Sequence, residues 1–278
     1  MAEPGVTRLL PGPVEDVPLK GLYLGEALHE RRAPGRTLIY GNFVTSLDGR
    51  ISVGADGGSP VKGVPTELAN RRDWRLYQEL AVQADVIVTT GRYVRDRAKG
   101  EAGPILAIED DPAMSDLVGW RERNGLASLP AIAVVSRSLD FDEGEAATIA
   151  GDVIAIGSAA VTPGRVAQLE DRGISTVLGR SAGGVSGTEI AKGLADLGHH
   201  TAFSAAGPRL AHLLMDAQVL DVLYVTYVMT LLGGRSYLTL NEGDLFENPP
   251  TFEMRSLYLD PAREDDAAQL FAAFEFQR

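Results

Sequence analysis

The chain has 278 residues, 45% of them hydrophobic and 23% charged, with a formal net charge of −12 and no cysteine. A chain of this length can bury a substantial core, in one large domain or two small ones. The acidic balance argues against broad nucleic-acid or anionic-membrane binding, and the missing cysteine excludes disulfides, thiol catalysis and Cys-ligated zinc. No basic-then-apolar leader pattern and no apolar run of membrane-spanning length is present, so the expected location is the cytoplasm. A local arginine-bearing pocket can still hold a small anion against this global field.

Met1 to Gly35 carries several prolines and mixed charge, with a short helix expected around Leu19 to Arg31. The segment 1–35 reads as an arm, packed over the main domain or partly disordered, and 36–278 as one domain. Thr37 to Val44 is apolar, β-branched and aromatic, which predicts a buried strand. It runs into Asp48-Gly49, a turn dipeptide, so Thr45, Ser46 and Asp48 are expected at or just past the strand's carboxyl end. In an open α/β sheet ligands bind at that edge, although polar residues at a strand exit also simply face water.

Gly54 to Pro60 reads as a flexible loop. Thr66 is the expected cap of a helix over Glu67 to Gln83, with Leu68, Leu76 and Leu80 on one face. Asp85 to Arg92 follows as a buried strand ending in Thr89-Thr90-Gly91-Arg92, completing a βαβ unit. Ile105 to Ile108, Ala131 to Val135, Val153 to Ile156, Thr176 to Leu178, Thr201 to Ser204 and Val222 to Met229 are predicted strands. Helices are predicted over Thr162 to Arg172, Glu189 to Leu197 and Gly207 to Ala217, the last opened by Pro208 in a first-turn position. Leu257 to Leu259 and Phe271 to Phe276 suit closing antiparallel strands. Alternating β and α elements predict an α/β fold with a mostly parallel sheet and helices on both faces.

Candidate sites gather at the strand ends. Ser136-Arg137 offers a hydroxyl and a guanidinium fork to a phosphate, or is a surface turn. Thr90-Gly91-Arg92 lets backbone amides approach a pyrophosphate, and Ala206-Gly207-Pro208-Arg209-Leu210 places a helix N-terminus where an anion can dock. Gly179 to Gly187 lacks both the P-loop ending and the dinucleotide-binding glycine spacing. His199-His200 has no ligand-spaced neighbours and reads as structural, so no metal is expected. No Gly-x-Ser-x-Gly elbow is present, and no strong nucleophile is evident. Such a set suits hydride transfer, where the cofactor carries the chemistry and the protein binds and orients.

Taken in order, Asn42-Phe-Val-Thr-Ser-Leu-Asp-Gly-Arg-Ile51, Ala84 to Gly91, Val135-Ser136-Arg137, Ala206 to Leu210 with Leu213-Leu214, and Val219-Leu220-Asp221 leading to Leu231-Leu232-Gly233-Gly234 resemble the pyrimidine reductase domain of riboflavin biosynthesis. The resemblance covers roughly Leu38 to Gly234. It implies a dihydrofolate-reductase-like α/β fold over 36–278, NADPH as hydride donor and a homodimer. The substrate implied is a phosphorylated pyrimidine, a phosphoribosylamino-pyrimidine reduced at the ribose anomeric carbon. On that likeness Asn42, Thr45, Ser46 and Asp48 are expected on the substrate side, with Asp48 the catalytic candidate. Thr89, Thr90, Gly91, Arg92, Ala206, Gly207, Pro208, Arg209 and Leu210 are expected to line the cofactor, and Ser136 and Arg137 to take its 2′-phosphate. The chain departs from the family where Asn42 replaces a lysine, Ala205 replaces the glutamate of Glu-Gly-Gly-Pro, and Thr90-Gly91-Arg92-Tyr93 replaces Gly-x-Gly-Thr. The fused zinc deaminase domain is absent. Two alternatives follow: a non-catalytic nucleotide-binding relative, or a reductase of another pyrimidine or pterin.

Overall fold

The computed structural model describes residues 4–31, 33–54, 63–108, 111–149, 151–263 and 266–278. The glycine-rich loop expected over Gly54 to Pro60 falls outside these residues after Gly54. The chain divides into two compact units, one made of 1–26, 40–79 and 207–278, the other of 27–39 and 80–206.

In chain order, Val6–Leu10 forms β1 and Glu15–Val17 forms β2. The helix expected around Leu19 to Arg31 is instead two 3-10 turns, Leu24–Glu26 and Leu28–Glu30. Leu38–Ser46 is β3 and Ser52–Val53 is β4. Arg71–Ala81 is α1, four residues shorter at its start than the apolar spacing suggests. Leu68 and Ala69 both donate to the Pro65 carbonyl, which closes a separate turn. Asn70, not Thr66, then caps the helix, its Oδ1 accepting from the Arg72 N–H at 2.8 Å. Leu68 is buried all the same, because the turn carries it to the same apolar cluster as Val44 and Val228.

Val86–Thr90 is β5, Gly91–Ala98 is α2 and Trp120–Arg123 is α3. Ile105, Ala107 and Ile108 are buried, but the segment forms no strand. A four-residue apolar run cannot distinguish a strand from a buried loop, and here the Tyr93 hydroxyl holds the Gly103 carbonyl at 2.7 Å just before it. Ala131–Val135 is β6, Glu143–Ala147 α4, Val153–Gly157 β7, Pro163–Glu170 α5 and Ser175–Leu178 β8. Gly187–Asp196 is α6, opened by a reciprocal capping box between Ser186 and Glu189. Thr201–Ser204 is β9, Pro208–Asp216 α7, Leu220–Val228 β10, Tyr237–Leu238 β11, Phe252–Asp260 β12 and Gln269–Phe276 β13.

In the second unit the strand order is β9-β5-β6-β7-β8, and every pair is parallel. Val86, Ile87, Val88, Ile132, Ala133 and Val134 are each 0% exposed. Strands that are covered on both faces read as continuous apolar runs, which is why they are easily recognised in the sequence. In the first unit β2-β1-β12-β13-β10-β3 run side by side, with β12–β13 and β13–β10 antiparallel. β1 joins this sheet antiparallel to β12, pairing Thr7 with Leu259, so the start of the expected arm is a strand of the unit. Farther along the arm, Gly21 and Tyr23 are held by Glu79, which is fully buried. Its carboxylate pairs with Arg75 at 2.7 Å and accepts the Gly21 and Tyr23 N–H groups at 2.7 and 3.0 Å. The α/β, dihydrofolate-reductase-like class expected from the sequence is the class observed.

Candidate active site

In the second unit, parallel strands place their carboxyl ends along one edge. β5 delivers Thr89 and Thr90 there. Thr90 caps α2, its hydroxyl accepting from the Tyr93 N–H at 3.3 Å. Thr89 is 0% exposed, and its Oγ1 has no hydrogen-bond partner among the described residues. Gly91 is the first residue of α2, and a Cβ there would lie 2.9 Å from Cβ and Oγ of Ser136. Glycine is therefore required at this position by the neighbouring strand end, not only by a ligand. Arg92 is exposed, with a loose 3.7 Å pairing to Asp96. Burial pushes the Tyr93 phenol up from its ordinary range, keeping it neutral beside Thr90.

β6 ends one residue before Ser136, whose N–H continues the ladder to the Ile156 carbonyl at 2.9 Å. Arg137 follows, exposed, its guanidinium without a partner among the described residues. Its backbone is fixed from β7: the Ser158 hydroxyl donates to the Arg137 carbonyl at 2.9 Å, and the Ser158 N–H donates to it at 3.1 Å. Sequence reasoning missed Ser158. The signal was a hydroxyl directly after a strand end, the feature that drew attention to Ser136. At the end of β9, Ala205 N–H extends the ladder to the Val88 carbonyl at 3.0 Å and leads into the small, half-exposed Ala206.

In the first unit, Gly207 stands at the N-cap of α7 with no side-chain cap, and Pro208 fills the first helical turn. The Leu210 and Ala211 N–H groups donate to the Gly207 carbonyl at 3.1 and 3.3 Å, so of that turn the Arg209 N–H is left to water or a ligand. Arg209 is exposed there, with no partner among the described residues, while Leu210 is buried in the unit's core.

The substrate-side candidates lie in this unit also, and most are engaged with protein. Thr45 and Ser46 are the last two residues of β3, 2% and 0% exposed. The Ser46 hydroxyl donates to Asp48 Oδ1 at 2.5 Å and accepts from the Arg50 N–H at 3.0 Å. Asp48 also accepts the N–H groups of Leu232 and Gly233 at 3.2 and 3.0 Å and pairs with the Arg50 guanidinium. That guanidinium reaches the Gly234 carbonyl and lies 4.6 Å from the Tyr237 ring centroid. Gly49, at φ +78°, makes the tight turn that brings these groups together. Asp48 is therefore a pin between the β3 turn and the Leu232-Gly233-Gly234 loop. Asn42 is half-buried on β3, six residues before Asp48.

No family model matches the chain, and no curated protein matches it by sequence. Solved structures do. A pyrimidine reductase-like protein from Corynebacterium diphtheriae aligns with a TM-score of 0.63 at 18% identity, over 94% of this chain and 100% of its own. RibD of Acinetobacter baumannii aligns with a TM-score of 0.57 at 12% identity over 88% of this chain, which spans 59% of that protein. A riboflavin biosynthesis reductase of Saccharomyces cerevisiae aligns with a TM-score of 0.52 at 10% identity, over 92% of this chain and 99% of its own. The chain has the pyrimidine-reductase fold. At these identities the likeness is one of fold, and the stand-alone arrangement occurs among the solved structures.

Proposed function

We propose that the protein is an NADPH-dependent reductase of a phosphorylated small molecule, a phosphoribosylamino-pyrimidine of the riboflavin-precursor type. It would work as a cytoplasmic homodimer, with 36–278 as the reductase domain and 1–35 as its arm. What carries the reading is a fold likeness extending over the full length of a pyrimidine reductase-like protein, together with the unengaged Thr89 hydroxyl and Arg137 guanidinium at strand ends. Among the described residues, no helix is long and apolar enough to cross a membrane.

The residues fit a dinucleotide. The buried Thr89 hydroxyl has no partner among the described residues, α7 starts without a side-chain cap, and Arg92, Arg137 and Arg209 are exposed cations in an otherwise acidic chain. Bound NADPH supplies a hydride. In this reading Ser136 and Arg137 hold the 2′-phosphate, the guanidinium giving a bidentate, charge-assisted contact. Thr89, Thr90, Gly91 and Ala206 line the cofactor with Gly207, Pro208 and Leu210, and Arg209 offers its backbone amide and guanidinium to a phosphate. Asn42, Thr45, Ser46 and Asp48 shape the substrate side. Asp48, fixed by its contacts, holds negative charge at one place, which suits stabilising a developing cation more than donating a proton.

The test is fluorescence titration with NADPH and NADH. Tight NADPH binding, weakened about tenfold toward the NADH value in Arg137→Ala, is the expected result. Absence of nucleotide binding to the folded protein would remove the reductase reading. A second reading, a nucleotide-binding relative without turnover, is favoured by Ala205 in place of an acid and by the full engagement of Asp48. Cofactor oxidation with any phosphoribosylamino-pyrimidine would exclude it.

A further inference from the structure

Parallel strands share an amino edge as well as a carboxyl edge. Residues just before β5, β7 and β9 gather there, one strand length (about 16 Å) from Thr90 and Ser136. A cavity of about 450 Å³ opens at this edge, lined among others by Asp85, Arg121, Leu126, Leu129, Asp152 and His199. Two of these residues build its floor. Asp85 Oδ2 accepts the N–H groups of His200 and Thr201 at 2.7 and 3.0 Å. Arg121, only 2% exposed, donates to the carbonyls of Val82, Ala84 and Ala127 at 2.9, 2.5 and 2.7 Å.

Three polar groups on the same cavity have no protein partner among the described residues: Asp85 Oδ1, the Asp152 carboxylate and the His199 ring. Burial holds the His199 pKa below its ordinary value, with the opposing pull of Asp85 and Asp152 the smaller effect. At neutral pH the ring is therefore uncharged, and two carboxylates face the cavity against one guanidinium whose donors point into the floor. Unengaged polar groups lining a concavity of this size are what a ligand site requires. A metal ion is a poor occupant, because no group of three or more His, Asp or Glu among the described residues is placed to hold one. The carboxylates instead surround a space the size of a small organic molecule.

We propose that this cavity binds a small organic cation, an amine or guanidinium compound. Asp152 and the free oxygen of Asp85 accept its N–H groups, and Leu126 and Leu129 cover its carbon chain. The proposal stands apart from the reductase reading, since it uses none of the carboxyl-edge residues.

Agmatine carries both cationic groups, and 1,4-butanediol is a neutral counterpart of similar length. Calorimetric titration of the full chain at pH 7.5 should show agmatine binding and no diol binding. Asp152→Asn should weaken agmatine about tenfold, the loss of one charge-assisted contact. Asp152 is exposed and holds no side-chain contact in the fold, so the variant stays folded, which circular dichroism checks. No agmatine binding to the folded chain, equal binding of the diol, or unchanged affinity in Asp152→Asn would each overturn the proposal. NADPH titration of the same samples is expected to be unaffected by agmatine at either protein.

Discussion

Polar strand-end residues behave in two ways in this molecule. In the second unit, the Thr89 hydroxyl and the Arg137 guanidinium have no partner among the described residues at the carboxyl edge of a parallel sheet. In the first unit, Thr45, Ser46 and Asp48 answer one another and the Leu232-Gly233 amides. A motif rich in hydroxyls and carboxylates thus has two possible destinations, a ligand or its own backbone. Only the hydrogen-bond inventory distinguishes them. Groups that are engaged locally should report on stability when removed, and groups left open should report on binding.

The largest effect on that contrast is expected at Glu79. Removing the buried carboxylate in Glu79→Ala takes the 2.7 Å ion pair from buried Arg75 and releases the Gly21 and Tyr23 amides. A loss of about 3–5 kcal/mol in denaturant-induced unfolding is expected. A loss under 1 kcal/mol would mean that the arm is not held by this group.

Asp73 gives a pH-dependent version of the same logic. It sits in the first turn of α1, accepts the Thr226 hydroxyl at 2.6 Å, and is pushed up by burial to about 6 from 3.8. With the folded pKa above the unfolded one, its stabilising contribution is complete below about pH 4 and is lost as pH rises through 6. Asp73→Asn keeps the acceptor for Thr226 and removes the buried charge. Stability at pH 7.5 is expected to rise by about 2–3 kcal/mol, with little change at pH 4. A variant no more stable than wild type at pH 7.5 would contradict this.

The smallest and most discriminating test sets Asp48 against Arg137. Asp48→Ala removes four contacts of a half-exposed turn and should lower stability by about 1–2 kcal/mol, with NADPH affinity unchanged. Arg137→Ala should leave the melting transition within about 0.5 kcal/mol of wild type, as for an exposed side chain without contacts. If Arg137→Ala destabilises as much as Asp48→Ala, the division into engaged and open groups fails.

The sequence by itself determined the parallel half almost completely. Val86–Thr90, Ala131–Val135, Val153–Gly157 and Thr201–Ser204 are strands because doubly covered strands must be apolar throughout. Pro163, Ser186 and Pro208 likewise mark helix starts through local chemistry that needs no partner. Tertiary structure decided what local pattern leaves degenerate. Ile105, Ala107 and Ile108 are buried without becoming a strand, since burial satisfies an apolar run in either conformation. Val6–Leu10 becomes a strand only because β12 offers it an edge. The Asp48 carboxylate is claimed by amides 184 and 185 residues away, and Gly91 is required by a serine on the next strand. Such pairings depend on where distant backbone arrives, which no local spacing encodes.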